Sequence, residues 1–98
     1  MTREQRNDLY KRAVEKWGEE AQFDQMVEEM GELIVAFNKF RRAKNYKQQD
    51  MQSAIDNLFE EIADVKLCVE QMEWIFGKEQ IDNVLQNKLE KFIKQLNS

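Results

Sequence analysis

The pattern of apolar and polar positions divides the chain into four helical segments. Apolar residues recur three and four positions apart, the spacing that places side chains on one face of an α-helix. The predicted helices run over residues 3–17, 21–42, 51–76 and 79–96. Gly18 suits the left-handed position that stops a helix, and Gly77 ends the third helix. Residues 43–50 break the pattern and predict a loop, with Asp50 or Ser53 capping the helix that follows.

The second and third helices each carry a broad apolar stripe. The stripe of the second helix consists of Phe23, Met26, Val27, Met30, Leu33, Ile34, Phe37 and Phe40. That of the third helix consists of Ile55, Leu58, Phe59, Ile62, Val65, Val69, Met72 and Phe76. We expect these two long helices to pack antiparallel through their stripes, which predicts an all-α, four-helix bundle.

An acidic pair accompanies each stripe. On a helical wheel with about 100° per residue, Glu29 lies about 20° beyond one edge of its stripe and Glu32 about 80° beyond it. Glu61 and Asp64 have the same offsets on the third helix, whereas Glu28 points to the far side of the second. Antiparallel packing would therefore bring four carboxylates together. Such a set, with neither histidine nor cysteine, suits a hard cation, Mg²⁺ in the first place and Mn²⁺ as an alternative.

Composition narrows the class of protein. Ninety-eight residues predict a single domain, 1–98, and the absence of proline and the presence of only three glycines fit an all-α chain. A net charge of −4 disfavours a nucleic-acid polymer as the partner. No apolar run is long enough to span a membrane, and the first residues lack the apolar core of a secretory signal. The single cysteine, Cys68, fits a cytoplasmic protein.

Four amphipathic helices offer more apolar surface than one thin bundle can cover. We therefore expect a homodimer or a dimer of dimers, in which the substrate pocket includes residues of a second chain.

The acidic motifs resemble those of a known family. Residues 28–32 read Glu-Glu-Met-Gly-Glu, which matches E-E-x-x-E, and residues 61–64 read Glu-Ile-Ala-Asp, which matches E-x-x-D. The flanks are similar too, with Trp17-Gly18 and Gln22 before the first motif and Val65 after the second. From about residue 17 to residue 91, the chain resembles the all-α nucleoside triphosphate pyrophosphohydrolases of the MazG-like group, in particular their short single-domain bacterial and phage members.

The resemblance implies hydrolysis of a nucleoside or deoxynucleoside triphosphate to the monophosphate and pyrophosphate. It also implies that Mg²⁺ is held by Glu29, Glu32, Glu61 and Asp64. Glu28 matches the first motif position, where it either holds a metal-bound water or is simply solvated.

Candidates for contact with the rest of the substrate follow from chemistry. Lys88 interrupts the apolar face of the last helix, so it needs a partner such as phosphate unless its ammonium reaches solvent along the core edge. Lys91 and Lys39 are further candidates for phosphate. Trp17 is a candidate wall for the base, with a core position as its alternative, and Gln22 can donate to the base or sugar.

Two other functions fit the same sequence. Amphipathic helices of mixed charge also build non-enzymatic oligomerisation or interaction modules. A related phosphohydrolase acting on another pyrophosphate-containing metabolite would use the same acidic residues, because no motif identifies a base or sugar.

Overall fold

The structure, a computed structural model, describes residues 1–47 and 50–98. These residues form four α-helices and no strand, so the prediction of an all-α chain with four helices is confirmed. The helices are α1 (Arg3–Trp17), α2 (Glu19–Tyr46), α3 (Met51–Phe76) and α4 (Lys78–Leu96). None of the helices in the described ranges has both the length and the apolar character needed to cross a membrane.

The predicted bounds of α1 and α3 agree with the structure, and α4 begins one residue earlier than predicted, at Lys78. The prediction for α2 is too short at both ends, since this helix runs over Glu19–Tyr46. The prediction that a loop begins at residue 43 is therefore wrong. Ala43 is only 3% exposed, so packing prolongs the helix past the point where the apolar pattern fades. The rest of the predicted loop includes Gln48 and Gln49, which lie outside the described residues.

Local sequence explains where the helices start. The Thr2 hydroxyl accepts a hydrogen bond from the Gln5 backbone N–H, and the Gln5 side chain accepts one from Thr2, a capping box that starts α1. Asp50 caps α3 by accepting from the Gln52 backbone N–H at 3.2 Å and from the Ser53 hydroxyl at 2.8 Å. Of the two predicted caps, Asp50 is thus the one used, and Ser53 supports it.

Glycines form the corners between α1 and α2 and between α3 and α4. Gly18 has φ 91° and Gly77 has φ 113°, a region that residues with a Cβ rarely adopt. Both glycines end a helix as predicted. The left-handed helical conformation predicted for Gly18 is wrong, because its ψ of 157° is extended and the chain turns at once into α2.

The contact between α2 and α3 follows a repeat of three and four residues, which we call the inner seam. On α2 its buried or half-buried positions are Gln22, Met26, Glu29, Leu33, Ala36, Phe40 and Ala43. On α3 they are Met51, Ala54, Leu58, Glu61, Val65, Cys68 and Met72. This alternation is the one by which coiled-coil helices contact each other. Ala36, Ala43, Ala54 and Cys68 are each at most 3% exposed, and their small side chains let the two helices approach closely.

The contact between α2 and α3 covers only part of the apolar stripe of α2. A second row on α2, Val27, Met30, Ile34 and Phe37, remains between 44% and 69% exposed, and we call it the outer seam. It lies about 100° around the helix from the inner seam. Because alanines extend the contact towards the acidic side, the helices meet at the edge of the stripe, with Glu29 in the contact.

A network of charges attaches the start of α1 to the end of α3. The Tyr10 hydroxyl donates to Glu70 Oε1 at 2.8 Å, and the Arg6 guanidinium donates to the same carboxylate. Arg3 reaches the neighbouring turn, where its Nη2 donates to Glu73 Oε1 at 3.1 Å. Tyr10 is the buried residue of α1, and its hydroxyl together with Arg3 and Arg6 attaches this helix to α3 through hydrogen bonds that involve charged groups.

The last helix, α4, contacts only α3 among the described elements, and none of its residues is buried. The sequence of α4 contains a continuous apolar face, but this face is exposed to solvent. The exposed apolar residues of this face are Ile81, Val84, Leu85, Leu89, Phe92, Ile93 and Leu96. α4 thus leaves the corner at Gly77 without covering the rest of the chain.

Candidate metal centre

Three carboxylates converge where α2 and α3 meet. Glu29, Glu32 and Glu61 each offer an oxygen, and these oxygens lie within 4.8 Å of one another. Glu29 is 9% exposed, Glu61 is half-buried and Glu32 is exposed. Glu29 and Glu61 occupy inner-seam positions, while Glu32 follows one turn later on the flank. The cluster therefore begins within the contact between α2 and α3 and reaches solvent at Glu32.

The buried part of this cluster has unsatisfied acceptors. Glu29 Oε2 and Glu61 Oε2 are buried and have no hydrogen-bond partner among the described residues. Gln25 Nε2 donates to the other oxygen of Glu29 at 2.7 Å. No lysine or arginine forms an ion pair with these carboxylates within the described ranges. A buried carboxylate oxygen without a donor is costly, so the arrangement calls for a proton or a cation.

The electrostatics agree with that conclusion. Burial raises the pKa of Glu29, and the charges of Glu32 and Asp64 raise this pKa further. Asp64 is exposed and lies outside the group of three, yet it acts on Glu29 from the neighbouring helix. The structure therefore brings together three of the four predicted ligands, with the fourth close to them. Glu28 is exposed and takes no part in the cluster.

A hollow that we call the aromatic pocket adjoins the cluster. It has a volume of about 410 Å³ and is lined by Trp17, Ala21, Gln22 and Gln25. Gln25 links it to the carboxylates through the hydrogen bond to Glu29. Trp17 is 62% exposed, so the alternative of a core position is wrong for this residue. Trp17 and Gln22, both predicted to contact substrate, thus line one pocket beside the acids.

The predicted phosphate-binding lysines lie elsewhere in the chain. Lys88 lies on α4, in a groove of about 420 Å³ beside Phe76 and Leu85. Lys91 is also on α4, and Lys39 is exposed on α2. None of the three lines the aromatic pocket. Among the described residues, none of these lysines forms an ion pair with Glu29, Glu32 or Glu61.

Two glutamines near the site escaped the sequence-based assignment. Gln25 supports Glu29, and its position on the same strip of α2 as Glu29 and Glu32 was the available indication. Gln71 is only 3% exposed, and its Nε2 donates to Gln22 Oε1 at 2.9 Å. It follows Asp64 by two helical turns, and nothing in the apolar pattern marks it as buried.

Comparisons with known proteins add no assignment: no protein-family model matches the chain, and neither curated proteins nor solved structures give a significant match. The resemblance of the two acidic motifs to the MazG-like enzymes therefore stays a prediction.

Proposed function

We propose that the chain is a Mg²⁺-dependent hydrolase that converts a nucleoside or deoxynucleoside triphosphate to the monophosphate and pyrophosphate. The observation that carries this proposal is the convergence of Glu29, Glu32 and Glu61, with two buried oxygens that have no donor among residues 1–47 and 50–98. The resemblance of both acidic motifs to the MazG-like enzymes points to the same chemistry.

The donor set fits the proposed cation. Mg²⁺ takes oxygen ligands, keeps several waters and is commonly held by a few carboxylates together with substrate phosphates. Glu29 and Glu61 would supply the more buried ligands and Glu32 the exposed one, with Asp64 as the fourth ligand. Mn²⁺ accepts the same ligands and is the alternative.

The residues of the site have two kinds of role, because some supply charge for the metal and others fix positions. When bound, Mg²⁺ neutralises phosphate charge and activates a water for attack on the α-phosphorus. Gln25 fixes one oxygen of Glu29, which leaves the buried oxygen free for the cation. The aromatic pocket adjoins the acids, so a nucleotide with its phosphates at the cluster can place its base against Trp17.

We further propose that α2 and α3 are antiparallel and that the protein assembles as a homodimer or a dimer of dimers. Phe23, near the start of α2, stacks on Phe76 at the end of α3, with ring centroids 5.6 Å apart, which supports the antiparallel direction. The exposed outer seam and the uncovered α4 support assembly. A second copy would then be the source of Lys88 and Lys91 for the phosphates.

The test of the proposed reaction is pyrophosphate release from a panel of ribo- and deoxyribonucleoside triphosphates with Mg²⁺. Glu61→Gln removes a negative ligand and should lower turnover about 100-fold or more, because loss of a group that merely supports a metal ligand already costs about 10- to 100-fold. Asp64→Asn should lower it as well. Glu60→Gln is the matched control, because Glu60 is exposed next to Glu61 and lies outside the cluster.

Folded protein that releases pyrophosphate from no nucleotide would sink the proposed substrate class. Extending the panel to other pyrophosphate-containing metabolites then tests the related phosphohydrolase. Unchanged turnover in Glu61→Gln would instead refute the site.

The exposed apolar faces also favour a second candidate, a non-enzymatic interaction module. This function requires no cation, so thermal unfolding should be the same with EDTA and with Mg²⁺. A rise in the melting temperature with Mg²⁺, larger when nucleotide is added, would exclude it.

A further inference from the structure

Trp17 lines two hollows of different chemistry. Lys16 covers the indole, with its ammonium 5.1 Å from the ring centroid, and one hollow is lined by Lys16 and Arg12 as well as by Trp17. Trp17 also lines the aromatic pocket, and Lys16 is absent from the lining of that pocket. A flat ring that contacts Trp17 in the aromatic pocket therefore lies beside the two glutamines and not beside Lys16.

The two glutamines present different groups to this pocket. One N–H of the Gln25 amide already donates to Glu29. Gln22 accepts from Gln71 through its carbonyl oxygen, and within the described residues its own NH₂ donates to nothing. The unengaged polar group of the Gln22 amide is thus its NH₂, which carries two N–H donors. Gln22 therefore provides the pocket with a hydrogen-bond donor.

Burial makes Gln71 the fixed member of this pair. It is 3% exposed, whereas Gln22 is 8% exposed and forms part of the pocket wall. A buried amide without a partner is unfavourable, so Gln71 has a strong reason to keep its hydrogen bond to Gln22. Gln71 reaches the pocket only through Gln22.

We propose that Gln71 is a positioning residue that orients the Gln22 amide, so that its NH₂ group donates to an acceptor on a heterocyclic ring stacked against Trp17. This inference rests on the proposed function for the nature of the ligand, a nucleotide base with a ring carbonyl or ring nitrogen at that point. The pocket recognises the base, while the carboxylates act on the phosphates.

The experiment is a double-mutant cycle on ligand affinity, measured by calorimetry with Mg²⁺. The probes are uridine 5′-monophosphate, which carries a ring with carbonyl acceptors, and ribose 5-phosphate, which lacks the ring. Both share the sugar and phosphate, so the ratio of their dissociation constants isolates the ring. Base stacking on an aromatic side chain should contribute at least about fivefold to the preference for the ring-bearing probe, and Trp17→Leu should remove that contribution.

Gln22→Met and Gln71→Met should each reduce this preference by about three- to tenfold, the value of one hydrogen bond. The double variant should lose no more than Gln22→Met alone, because Gln71 acts through Gln22. Gln71→Asn, one methylene too short to reach Gln22, should give the same loss if Gln71→Met does not fold. Arg12→Gln, in the other hollow, should leave the preference unchanged.

Additive losses in the double variant, or full preference in both Gln71 variants, would overturn the positioning role. Equal binding of the two probes would overturn ring recognition altogether. The proposed reaction is tested separately. If the protein releases no pyrophosphate but the losses in the double-mutant cycle are non-additive, the reaction is refuted and the role of Gln71 stands. If the protein releases pyrophosphate but the losses are additive, the reaction stands and the role of Gln71 is refuted.

Discussion

Glu29 holds a position where a coiled-coil contact normally places an apolar side chain. It belongs to the three-and-four repeat of the inner seam and is 9% exposed, yet one of its oxygens has no donor in the part of the chain that the structure describes. Burial and the nearby carboxylates favour its neutral form, which explains why its pKa is raised. Without a cation, this residue therefore weakens the fold at neutral pH.

The stability of the metal-free protein should accordingly depend on pH through Glu29. Since its pKa is higher in the folded than in the unfolded chain, the stabilising effect of the protonated form is complete at low pH. It is lost as pH rises through the folded pKa. We expect Glu29→Gln to remove this loss and to raise the melting temperature at neutral pH in EDTA, by about 4–8 °C for each kcal/mol recovered.

Thermal unfolding in EDTA across a pH series checks this expectation, with Glu20→Gln as an exposed control on the same helix. Mg²⁺ should then stabilise the wild type and have little effect on Glu29→Gln. A variant that is less stable than wild type at every pH would show that Glu29 supports the fold rather than burdens it.

The spacing of Glu29, Glu32, Glu61 and Asp64 sufficed to predict which acids share a side of each helix. The wheel could not predict how deeply each would lie, because it took the apolar stripe as the whole contact. Small residues such as Ala36 count little in an apolar pattern, yet they decide how closely two helices approach. The sequence did not indicate Gln71 for a related reason, because a glutamine can be predicted as buried only when the group that it bonds to is known.

At the scale of the elements, most helix bounds follow from local sequence. Thr2, Asp50 and the two corner glycines act within a few residues of themselves, so their effects are readable along the chain. The end of α2 is different, because Ala43 stays helical by packing against another element. Helix limits set by tertiary contact are the ones that sequence patterns miss.

The inner seam depends on small side chains, and Ala36 at 1% exposed is the clearest example. Ala36→Leu should force α2 and α3 apart and destabilise the protein by about 1–3 kcal/mol, the usual cost of overpacking. Chemical denaturation measures this loss. Val35→Leu is the matched control, because Val35 is 51% exposed and should tolerate the change.

Separation of the helices should also spread the carboxylates. Ala36→Leu is therefore expected to reduce the stabilisation by Mg²⁺ as well as the stability itself. If stability falls while the full response to Mg²⁺ remains, the metal-binding geometry does not depend on the close approach of α2 and α3.

The attachment of α1 should depend on Glu70. The hydrogen bond from Arg6 is the main reason that the pKa of Glu70 is lowered. Its contribution to stability is therefore present above the ordinary carboxyl pKa and is lost as pH falls through the lowered one. Glu70→Gln weakens a charge-assisted network, so we expect a loss of about 1–2 kcal/mol at neutral pH.

Amide hydrogen exchange locates that loss, which should accelerate exchange in α1 more than in the middle of α3. Glu15→Gln, in an exposed pair with Lys11, is the control and should change little. Equal acceleration in all helices would mean that Glu70 supports the whole fold and not α1 in particular. Because Trp17 ends α1, the variant should also loosen the aromatic pocket.

For the whole molecule, the decisive feature is the amount of apolar surface that one chain leaves open. Stable interfaces bury large continuous surfaces, and the outer seam supplies one with coiled-coil spacing. The sequence predicted assembly because all four helices carry apolar stripes. It could not predict which half of each stripe is used within the chain, since both halves are equally apolar.

Ile34→Glu should break the proposed assembly, because it places a charge at the centre of the outer seam, where Ile34 is 63% exposed. Light scattering coupled to size exclusion should show a dimer or tetramer for the wild type and a monomer for the variant. Lys39→Glu is an exposed control on the same helix, away from the seam. A wild type that is monomeric at high concentration would contradict the proposal.

Because α4 is left uncovered by its own chain, the folding of this helix should depend on protein concentration. An isolated helix of this kind is marginal in water, and none of the 19 residues of α4 is buried in its own chain. If assembly sustains this helix, dilution should melt it while α2 and α3 remain folded, so helicity would fall in two separate steps. Any lysine that α4 contributes to a neighbouring site would be lost in the first step, and activity per chain would decline on dilution before the fold does.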